Sequence, residues 1–364
     1  MKIFQITHFG SLTNYGALLQ AYALSRALRD LGHDVTLLRA SFSFNNILRK
    51  WYKSPLRVIK AWKKLKDEQK QEKLHPRRFA EFASTYINLS QDEYHSHKEL
   101  LKAGLQADAL VTGSDQVWSS KVPFPPYFLE FGPESARRFS YAASTGSRAR
   151  FDAAYLSALK EKTGRFYAVS VREHEALEQC RKAGIDSAEL VPDPVMLFPA
   201  DHWRNLYGPK SEKLKRYCFV YAVGRKTLDN DFLLQYCSRN DLEIIFVPSQ
   251  NNMKNKIPGA KLCYPTIPEF LKLIDGADMM ITDSFHGTSF ALLFNTPVFV
   301  AAAHRNDARF MTLDRYFGIG KCYFYDPDKL KEAFQFCHDW TGINLKMDGL
   351  RQTGWSFLRR AAGE

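Results

Sequence analysis

Residues 278–300, DMMITDSFHGTSFALLFNTPVFV, constrain the fold of this chain more than any other stretch. Met279–Thr282 is a short apolar run typical of a buried strand, and Thr296–Val300 is a second one. Thr288–Phe294, between them, has the apolar content of a buried helix. The stretch therefore predicts a strand, a turn, a helix and a second strand, which is the repeating unit of a parallel α/β sheet.

The turn of this unit collects polar side chains. Asp283, Ser284 and His286 follow the first strand, and Gly287 lets the backbone bend closely where the helix begins. Open α/β sheets bind ligands beyond the carboxyl ends of their strands, and a helix N-terminus there offers free N–H groups to an anion. We therefore expect an anion-binding site at this turn.

The N-terminal residues predict a similar unit. Lys2–Thr7 is a candidate strand, Ala17–Leu31 is a candidate helix that ends with Gly32 in the C′ position, and Asp34–Arg39 is a second strand. Such units close right-handed into parallel sheets. The same alternation continues, with candidate strands at Ala107–Thr112, Arg138–Ala142, Phe166–Ser170, Tyr217–Val223 and Glu243–Val247, and candidate helices at Phe79–Leu89 (followed by a loop), Glu173–Ala183, Pro268–Asp275 and much of 329–360.

The length of the chain sets the number of domains. A chain of 364 residues allows about two domains of roughly 100 to 200 residues each. Residues 190–197, LVPDPVML, predict the crossover between them, because two prolines stiffen the chain around Asp193. We expect an N-terminal α/β domain over 1–190 with a basic helical insertion at 45–85, a C-terminal α/β domain over 191–345 and a C-terminal helix over 346–364.

Hydropathy and cysteine spacing limit the location of the protein. The first residues, MKIFQITHFG, lack a signal-peptide pattern, and no stretch reaches the roughly 20 apolar residues that span a bilayer. The six cysteines are scattered, with no C-x-x-C pair and no Cys/His cluster at zinc spacing. We therefore expect a cytoplasmic protein with reduced thiols and no structural metal.

The positive charge of the chain is concentrated in one segment. The formal net charge is +12, and Arg49–Arg78 holds twelve Lys/Arg residues against three acidic ones. An apolar stripe that includes Leu56, Trp62 and Leu65 predicts an amphipathic helix there. Either this helix binds an anionic membrane surface through 49–66, at the inner face of the cytoplasmic membrane, or it docks on its own domain. No nucleic-acid motif accompanies the charge, so nucleic acid is not an expected partner.

Polar residues also follow three other candidate strands. The loop His8–Gly16 matches neither G-x-G-x-x-G nor the Walker lysine motif; it is either a turn in which Asn14 caps the helix or a loop that faces a ligand. Gly113–Trp118 places polar side chains directly after an apolar strand. Arg172 follows the strand that ends at Ser170, where its guanidinium could bind phosphate or carboxylate, or could pair with a neighbouring acid.

Five short motifs occur in order along the chain: Asn14–Gln20 (NYGALLQ), Gly113–Trp118 (GSDQVW), Ser170–Glu173 (SVRE), Asp193–Leu197 (DPVML) and Thr282–Gly287 (TDSFHG). Taken together, they resemble the polysaccharide pyruvyl transferase family, and the resemblance covers roughly residues 1–315. The resemblance implies two Rossmann-like domains facing across a cleft, as in GT-B glycosyltransferases. It also implies a transferase that moves the enolpyruvyl carbons of phosphoenolpyruvate to a sugar as a pyruvate ketal, in the synthesis of capsule, exopolysaccharide or cell-wall polymers.

The chain departs from the family pattern at one position. Many members have Arg-x-His where this sequence has Ser284, Phe285 and His286, so the arginine beside the histidine is missing. The groups that clamp the carboxylate or phosphate of the donor must then come from elsewhere. The candidates are Arg172, Arg225, Arg305 and Arg309.

The implied chemistry assigns roles to the polar residues. Ketal formation needs an acid and base that works near neutral pH, and His286 is our candidate because imidazole has this property. Asp115 and Asp283 could orient sugar hydroxyls or accept their protons, although Asp283 could instead cap the helix and His286 could make a structural hydrogen bond. Trp118 could stack on a sugar or pack in the core. The other expected substrate-binding residues are Asn14, Tyr15, Gly16, Ser114, Gln116, Asp193, Ser284, Gly287 and Thr288.

Two alternatives to the pyruvyltransferase stay open. The first is a GT-B glycosyltransferase that uses a nucleotide sugar, because the same architecture would serve it. The second is a non-catalytic carbohydrate-binding or membrane-associated assembly subunit, in which the basic helix matters more than His286. In the favoured interpretation the partners are phosphoenolpyruvate, as co-substrate, and a sugar or lipid-linked oligosaccharide acceptor, with no cofactor.

Overall fold

The computed structural model describes residues 1–8, 14–42, 76–119, 123–147, 151–208, 215–222, 228–248, 257–302 and 304–363. Two compact units are present: residues 1–194 with 353–364 form the first, and residues 195–352 form the second. The predicted amphipathic stripe and membrane-binding segment at 49–66 lie outside the described residues, as does Arg225.

The first unit is built on a parallel sheet of five strands in the order β3-β2-β1-β4-β5. A two-stranded parallel sheet, β6-β7, continues beyond β5 through isolated parallel bridges from Phe139 to Ala168 and from Ala143 to Val171. The elements are β1 (Lys2–Ile6), α1 (Tyr15–Asp30), β2 (Asp34–Ala40), α2 (Pro76–Tyr86), β3 (Leu89–Tyr94), α3 (His97–Lys102), β4 (Ala109–Gly113), a 3-10 turn (Pro125–Phe128), β5 (Arg137–Tyr141), α4 (Ala153–Thr163), β6 (Ser170–Val171), α5 (His174–Lys182) and β7 (Glu189–Leu190).

The second unit repeats this plan with a parallel sheet of six strands in the order β10-β9-β8-β11-β12-β13. The last helix of the chain, Trp340–Ala362, begins in this unit, and its residues from Thr353 onward belong to the first unit. The elements are a 3-10 turn (Pro194–Leu197), α6 (Ala200–Arg204), β8 (Tyr217–Ala222), α7 (Asn230–Arg239), β9 (Glu243–Pro248), β10 (Lys261–Leu262), α8 (Ile267–Asp275), β11 (Met279–Thr282), α9 (Phe285–Phe294), β12 (Val298–Ala301), α10 (Ala308–Phe317), a 3-10 turn (Gly320–Cys322), β13 (Tyr323–Phe324), a 3-10 turn (Pro327–Lys329), α11 (Leu330–Ala333) and α12 (Trp340–Ala362).

Both sheets follow the strand order of a Rossmann-like fold, in which chain order reverses beside the first strand. In the first unit β1 lies between β2 and β4, with Ile3 paired to both Val35 and Ala109. In the second unit β11 takes the corresponding place beside β8, with Met280 opposite Phe219. The predicted α/β fold with two Rossmann-like domains is confirmed, and each reversal creates a crevice at the carboxyl ends of the strands where such folds bind ligands.

Local signals set several helix ends. The Asn14 side chain caps α1 by accepting the Ala17 N–H at 3.2 Å. Gly32 follows the last turn of α1 with φ of 77°, a conformation that glycine adopts without steric cost. Thr266 and Glu269 form a reciprocal capping box at the start of α8.

Three local expectations were wrong. The loop expected after the Phe79–Leu89 helix includes the edge strand β3, whose sequence LSQDEY lacks the apolar alternation of a half-buried strand. The strand expected at Phe166–Ser170 begins only at Ser170, although Ala168 makes an isolated bridge. The helix expected from Thr288 begins at Phe285, because Ser284 supplies the cap. Within the described residues, no helix has the length and apolar character needed to cross a membrane.

Candidate active site

The turn after β11 lies at the point of reversal in the second sheet. Thr282, the last residue of β11, pairs with Tyr221 of β8 on one side and with Val300 of β12 on the other. Asp283 therefore leaves the sheet at its carboxyl edge, between two flanking strands. Burial raises the pKa of the Tyr221 phenol, and the negative charge of Asp283 raises it further, which places the carboxylate close to the end of β8.

Ser284 organises the first turn of α9. Its Oγ accepts the Gly287 N–H at 3.1 Å, its own N–H donates to Thr282 Oγ1 at 3.0 Å, and its carbonyl accepts the Thr288 hydroxyl at 3.0 Å. The helix cap that was considered as an alternative role for Asp283 is made by Ser284. Asp283 stands one residue outside the cap, at the strand end.

His286 lies in the first turn of α9 and is 9% exposed. Its ring meets the Phe285 ring edge-on, with centroids 5.3 Å apart. Gly287 allows this turn to lie close to the sheet: a Cβ there would stand 3.0 Å from Thr282 Oγ1 and 3.1 Å from Met280 Cε. The structure brings together Asp283, Ser284, His286, Gly287 and Thr288, all of which were expected at one site.

The two arginines after β12 have different surroundings. Arg309 donates from Nε to Asp307 Oδ1 at 3.0 Å and from Nη2 to Asp307 Oδ2 at 2.7 Å, so a neighbouring carboxylate occupies its donor fork. Arg305 is exposed, and its guanidinium lies 5.2 Å from the centre of the Tyr325 ring. Arg305 is therefore the arginine of this pair that keeps its charge available to a ligand.

In the first unit, Arg172 is buried among three carboxylates. Its Nη1 donates to Asp193 Oδ2 at 2.5 Å, its Nε donates to Glu173 Oε1 at 3.1 Å, and its Nη2 lies 3.6 Å from Asp115 Oδ1. Burial alone would lower the pKa of the guanidinium, but the carboxylates of Glu173, Asp193 and Asp115 outweigh this and raise it. Of the two roles considered for Arg172, the structure describes the pairing with neighbouring acids.

Glu173 joins this cluster to the turn after β5. Its Oε1 accepts the Ser144 hydroxyl at 2.5 Å, and its Oε2 accepts the Thr145 N–H at 3.3 Å. The side chain is fully buried, and burial raises the pKa of its carboxyl, opposed by Arg172. The cluster holds three acids against one guanidinium, so it concentrates acidic groups at the carboxyl edge of the first sheet.

Asp115 is the partly exposed member of this cluster, with a side chain that is 13% accessible. Its backbone has φ of 62°, and its carbonyl accepts the N–H groups of Val117 at 2.7 Å and Ser144 at 2.9 Å. Ser114 Oγ donates to the Ala142 carbonyl at 2.8 Å and lies 3.3 Å from Asp193 Oδ2. The loop after β4 is thus held by its own hydrogen bonds, which point the Asp115 carboxylate toward Arg172.

Other expected substrate-binding residues make contacts within the first unit. The Trp118 ring is 1% exposed, stacks on Phe128 with centroids 5.2 Å apart and donates its Nε1–H to the Tyr127 carbonyl at 3.2 Å. The core-packing alternative is therefore the one observed in the structure. Tyr15 packs on Phe79 at 4.8 Å and lies with Gly16 in the buried first turn of α1, which Asn14 caps.

His8 is a residue at this edge that the sequence did not single out. It follows β1, donates from Nε2 to the Gln116 carbonyl at 3.0 Å and has Nδ1 3.5 Å from the Tyr127 hydroxyl. The contacts join the ends of β1 and β4, at the reversal of the first sheet. Its position directly after the first strand of a Rossmann-like unit was the available signal.

In the described ranges, no three His, Cys, Asp or Glu side chains are grouped so that they could hold a metal ion. The arrangement can instead supply a buried imidazole at a helix N-terminus in the second unit and a carboxylate cluster in the first. Proton transfer and anion binding are the chemistry that such groups support.

Solved structures resemble this chain in fold. S. aureus MnaA in a co-structure with UDP has a TM-score of 0.55 and 13% identity, covering 95% of this chain and 90% of that chain. Methanocaldococcus jannaschii UDP-GlcNAc 2-epimerase, in complex with UDP-GlcNAc and UDP, has a TM-score of 0.55 and 14% identity, covering 95% and 98%. The Neisseria meningitidis UDP-GlcNAc 2-epimerase bound to UDP-GlcNAc gives 0.54 and 10%, covering 97% and 99%. The expected GT-B-like fold is confirmed by these likenesses.

A search of the curated proteins finds no match. A model of the polysaccharide pyruvyl transferase family matches residues 14–305, a range that contains all five motifs, and the chain therefore belongs to that family.

Proposed function

We propose that this transferase moves the enolpyruvyl group of phosphoenolpyruvate onto a sugar, forming a pyruvate ketal during the synthesis of a cell-surface polysaccharide. The observation that carries the proposal is the family match over 14–305, together with the place of Asp283 and His286 at the reversal of the second sheet. The acceptor sugar belongs to the polysaccharide or to its lipid-linked precursor.

The donor is assigned to the first turn of α9. Phosphoenolpyruvate carries a carboxylate and a phosphate, and a helix N-terminus favours such groups through its backbone N–H groups and its dipole. Arg172 and Arg309 already hold carboxylates, so neither is the donor clamp in this proposal. A contribution from Arg225, which lies outside the described residues, stays a prediction.

His286 is the proposed acid that starts the reaction. It gives a proton to the methylene carbon of phosphoenolpyruvate, which becomes a methyl group and leaves C2 electrophilic. One sugar hydroxyl adds to C2, phosphate leaves with its bridging oxygen, and a second hydroxyl closes the ketal. Of the two hydroxyl protons released, one restores His286 and the other leaves with the phosphate as hydrogen phosphate.

Asp283 is the proposed acceptor of a hydroxyl proton at this turn, and a role for Asp115 of the first unit is a separate proposal. Asp283 is three residues before His286 and leaves the sheet beside it. Asp115 lies 3.6 Å from the Arg172 guanidinium, and its side chain is 13% accessible. Ser284 supports this turn by capping α9, and Gly287, which has no side chain, lets the turn lie close to the sheet.

Ligand-induced thermal stabilisation of the purified full-length protein tests the donor. Phosphoenolpyruvate at 100 times its Kd is expected to add about 2.7 kcal/mol to the free energy of unfolding. Phosphate, pyruvate and UDP-GlcNAc at the same concentration are expected to give less. His286→Gln should reduce the stabilisation by phosphoenolpyruvate, whereas His304→Gln, an exposed histidine of the same unit, should keep it.

Other results would select the alternatives. Stabilisation by UDP-GlcNAc but not by phosphoenolpyruvate would favour a glycosyltransferase that uses a nucleotide sugar. If cells carrying His286→Gln produced the same surface polysaccharide as the wild type, the protein would act as a non-catalytic assembly subunit. A membrane-binding role for residues 49–66, at the inner face of the cytoplasmic membrane, is a separate part of the proposal and calls for vesicle binding with and without that segment.

A further inference from the structure

An open pocket of about 570 Å³ lies in the second unit, beside α10 and the edge strand β13. Arg305 reaches it from the loop after β12, Asp314 and Phe310 from α10, and Lys321 from the turn before β13. None of the residues of the α9 turn lines it. The pocket is therefore a place for a ligand group other than the one assigned to His286.

Two cationic side chains and one carboxylate line the pocket, which leaves an excess of positive charge. Arg305 and Lys321 are both exposed, and within the part of the chain that the structure describes neither forms an ion pair with a carboxylate. By contrast, Arg309 in the first turn of α10 pairs with Asp307 through both carboxylate oxygens. Two available cations at one pocket favour a doubly charged group such as phosphate, which accepts charge-assisted hydrogen bonds from both.

Aromatic rings form the remaining wall. Phe310 is buried, and Tyr325 and Phe336 are half-buried, so packing within the second unit holds these rings in place. The guanidinium of Arg305 lies 5.2 Å from the centre of the Tyr325 ring, which places a cation beside an apolar face. Ligand pockets combine such walls with a few polar groups that orient the ligand.

Asp314 supplies an acceptor for hydroxyl groups. Its Oδ1 accepts the Gly320 N–H at 2.5 Å, which holds the carboxylate in place. A Cβ on Gly320 would stand 2.6 Å from Asp314 Oδ2, so a larger residue at position 320 would clash with this carboxylate. A fixed carboxylate beside an aromatic wall and two cations suits a molecule with hydroxyls, a flat face and a phosphate.

We propose that this pocket binds a glycosyl phosphate: its sugar ring lies against the aromatic wall with hydroxyls donated to Asp314, and its phosphate is bound by Arg305 and Lys321. The volume is within the 300 to 1,000 Å³ range of small-molecule sites, which is more than phosphoenolpyruvate alone requires. The inference rests on the proposed function and deepens it, because the acceptor of that reaction is then a phosphate-linked sugar. Lipid-linked and nucleotide-linked sugars both contain this group.

Isothermal titration of the full chain with glucose 1-phosphate tests the proposal, with glucose and inorganic phosphate as reference ligands. We expect glucose 1-phosphate to bind more tightly than either. Arg305→Ala and Lys321→Ala should each weaken it about tenfold, since each removes a hydrogen bond to a charged group. Lys331→Ala, an exposed lysine of the same unit that does not line the pocket, should leave its Kd unchanged.

Titrations with UDP-glucose and with a short-chain prenyl diphosphate glucose distinguish a nucleotide-linked sugar from a lipid-linked one. The ligand with the lower Kd shows which of the two carriers the pocket fits. Equal binding of glucose 1-phosphate and inorganic phosphate, or equal Kd values in the wild type and the Arg305→Ala, Lys321→Ala double variant, would overturn the proposal. Lys321→Glu is an independent test, because it reverses the charge of a pocket cation at an exposed position. Titration of the same samples with phosphoenolpyruvate tests the donor separately, and we expect its Kd to be unchanged in these variants.

Discussion

Arg172 and Asp193 form an ion pair of 2.5 Å between side chains that are 2% and 0% exposed. The pair ties the start of the crossover between the two units to the carboxyl edge of the first sheet. Asp193 was expected near a ligand and Arg172 was considered as an anion clamp. Their mutual contact makes both of them part of the framework that holds Asp115.

Arg172→Ala is expected to destabilise the protein by about 3 to 5 kcal/mol, because it leaves buried carboxylates without their cation. Urea unfolding at pH 7 measures this loss. Arg165→Ala is the matched control: Arg165 pairs with the exposed Glu134, and an exposed pair contributes about 1 kcal/mol or less. Equal losses in the two variants would show that the buried cluster does not depend on Arg172.

Gly113→Ala is expected to be strongly destabilising. Gly113 has φ of 114°, and a Cβ there would stand 2.2 Å from the Tyr141 carbonyl oxygen of the neighbouring strand. Gly104→Ala separates the cost of a positive φ from the cost of the steric clash, because Gly104 has φ of 57° with nothing near its Cβ position. This variant should lose only about 1 to 2 kcal/mol of stability. Thermal unfolding compares the variants. A Gly113→Ala protein as stable as Gly104→Ala would contradict the close approach of β4 and β5.

Ser284→Ala is expected to cost about 1 kcal/mol, because the Gly287 N–H loses its acceptor at the start of α9. Ser284→Asp should keep the cap while adding a negative charge beside the proposed donor site. We therefore expect Ser284→Asp to retain the stability of the wild type and to bind phosphoenolpyruvate more weakly. Denaturant unfolding and titration with phosphoenolpyruvate measure the two effects independently, and unchanged affinity would place the donor elsewhere.

His338 is expected to make the second unit less stable in acid. Burial lowers the pKa of its imidazole from 6.5 to about 4, and its Nε2 accepts the Val298 N–H at 3.4 Å. The unfolded chain takes up a proton below about pH 6.5, whereas the folded protein does so only below about pH 4. The stabilisation is thus fully present above pH 6.5 and is lost as the pH falls from 6.5 to 4.

The shift of His338 corresponds to at most about 3 kcal/mol of stability at neutral pH. His338→Leu removes the titrating group, so its unfolding free energy should fall less steeply between pH 6.5 and 4 than that of the wild type. Unfolding by urea across this range tests the difference. Parallel pH profiles for the two proteins would show that His338 titrates alike in the folded and unfolded states.

Local chemistry explains what the sequence predicted. The strands Met279–Thr282 and Lys2–Ile6, the cap at Asn14 and the end of α1 at Gly32 depend on short-range hydrogen bonds and on apolar periodicity. The same patterns located the turn that holds Asp283 and His286. Edge strand β3 escaped prediction because its partners lie on one side only and its sequence is polar.

The sequence by itself determined the order of the α/β units, their helix caps and the polar turns at the strand ends, because each of these depends on neighbouring residues. Only the tertiary structure decided what the polar side chains contact. Arg172 meets Asp193 and Asp115, and Trp118 is buried against Phe128, through packing of separate strands and turns. Such contacts join residues distant in the chain, and burial then selects the partner that compensates each charge.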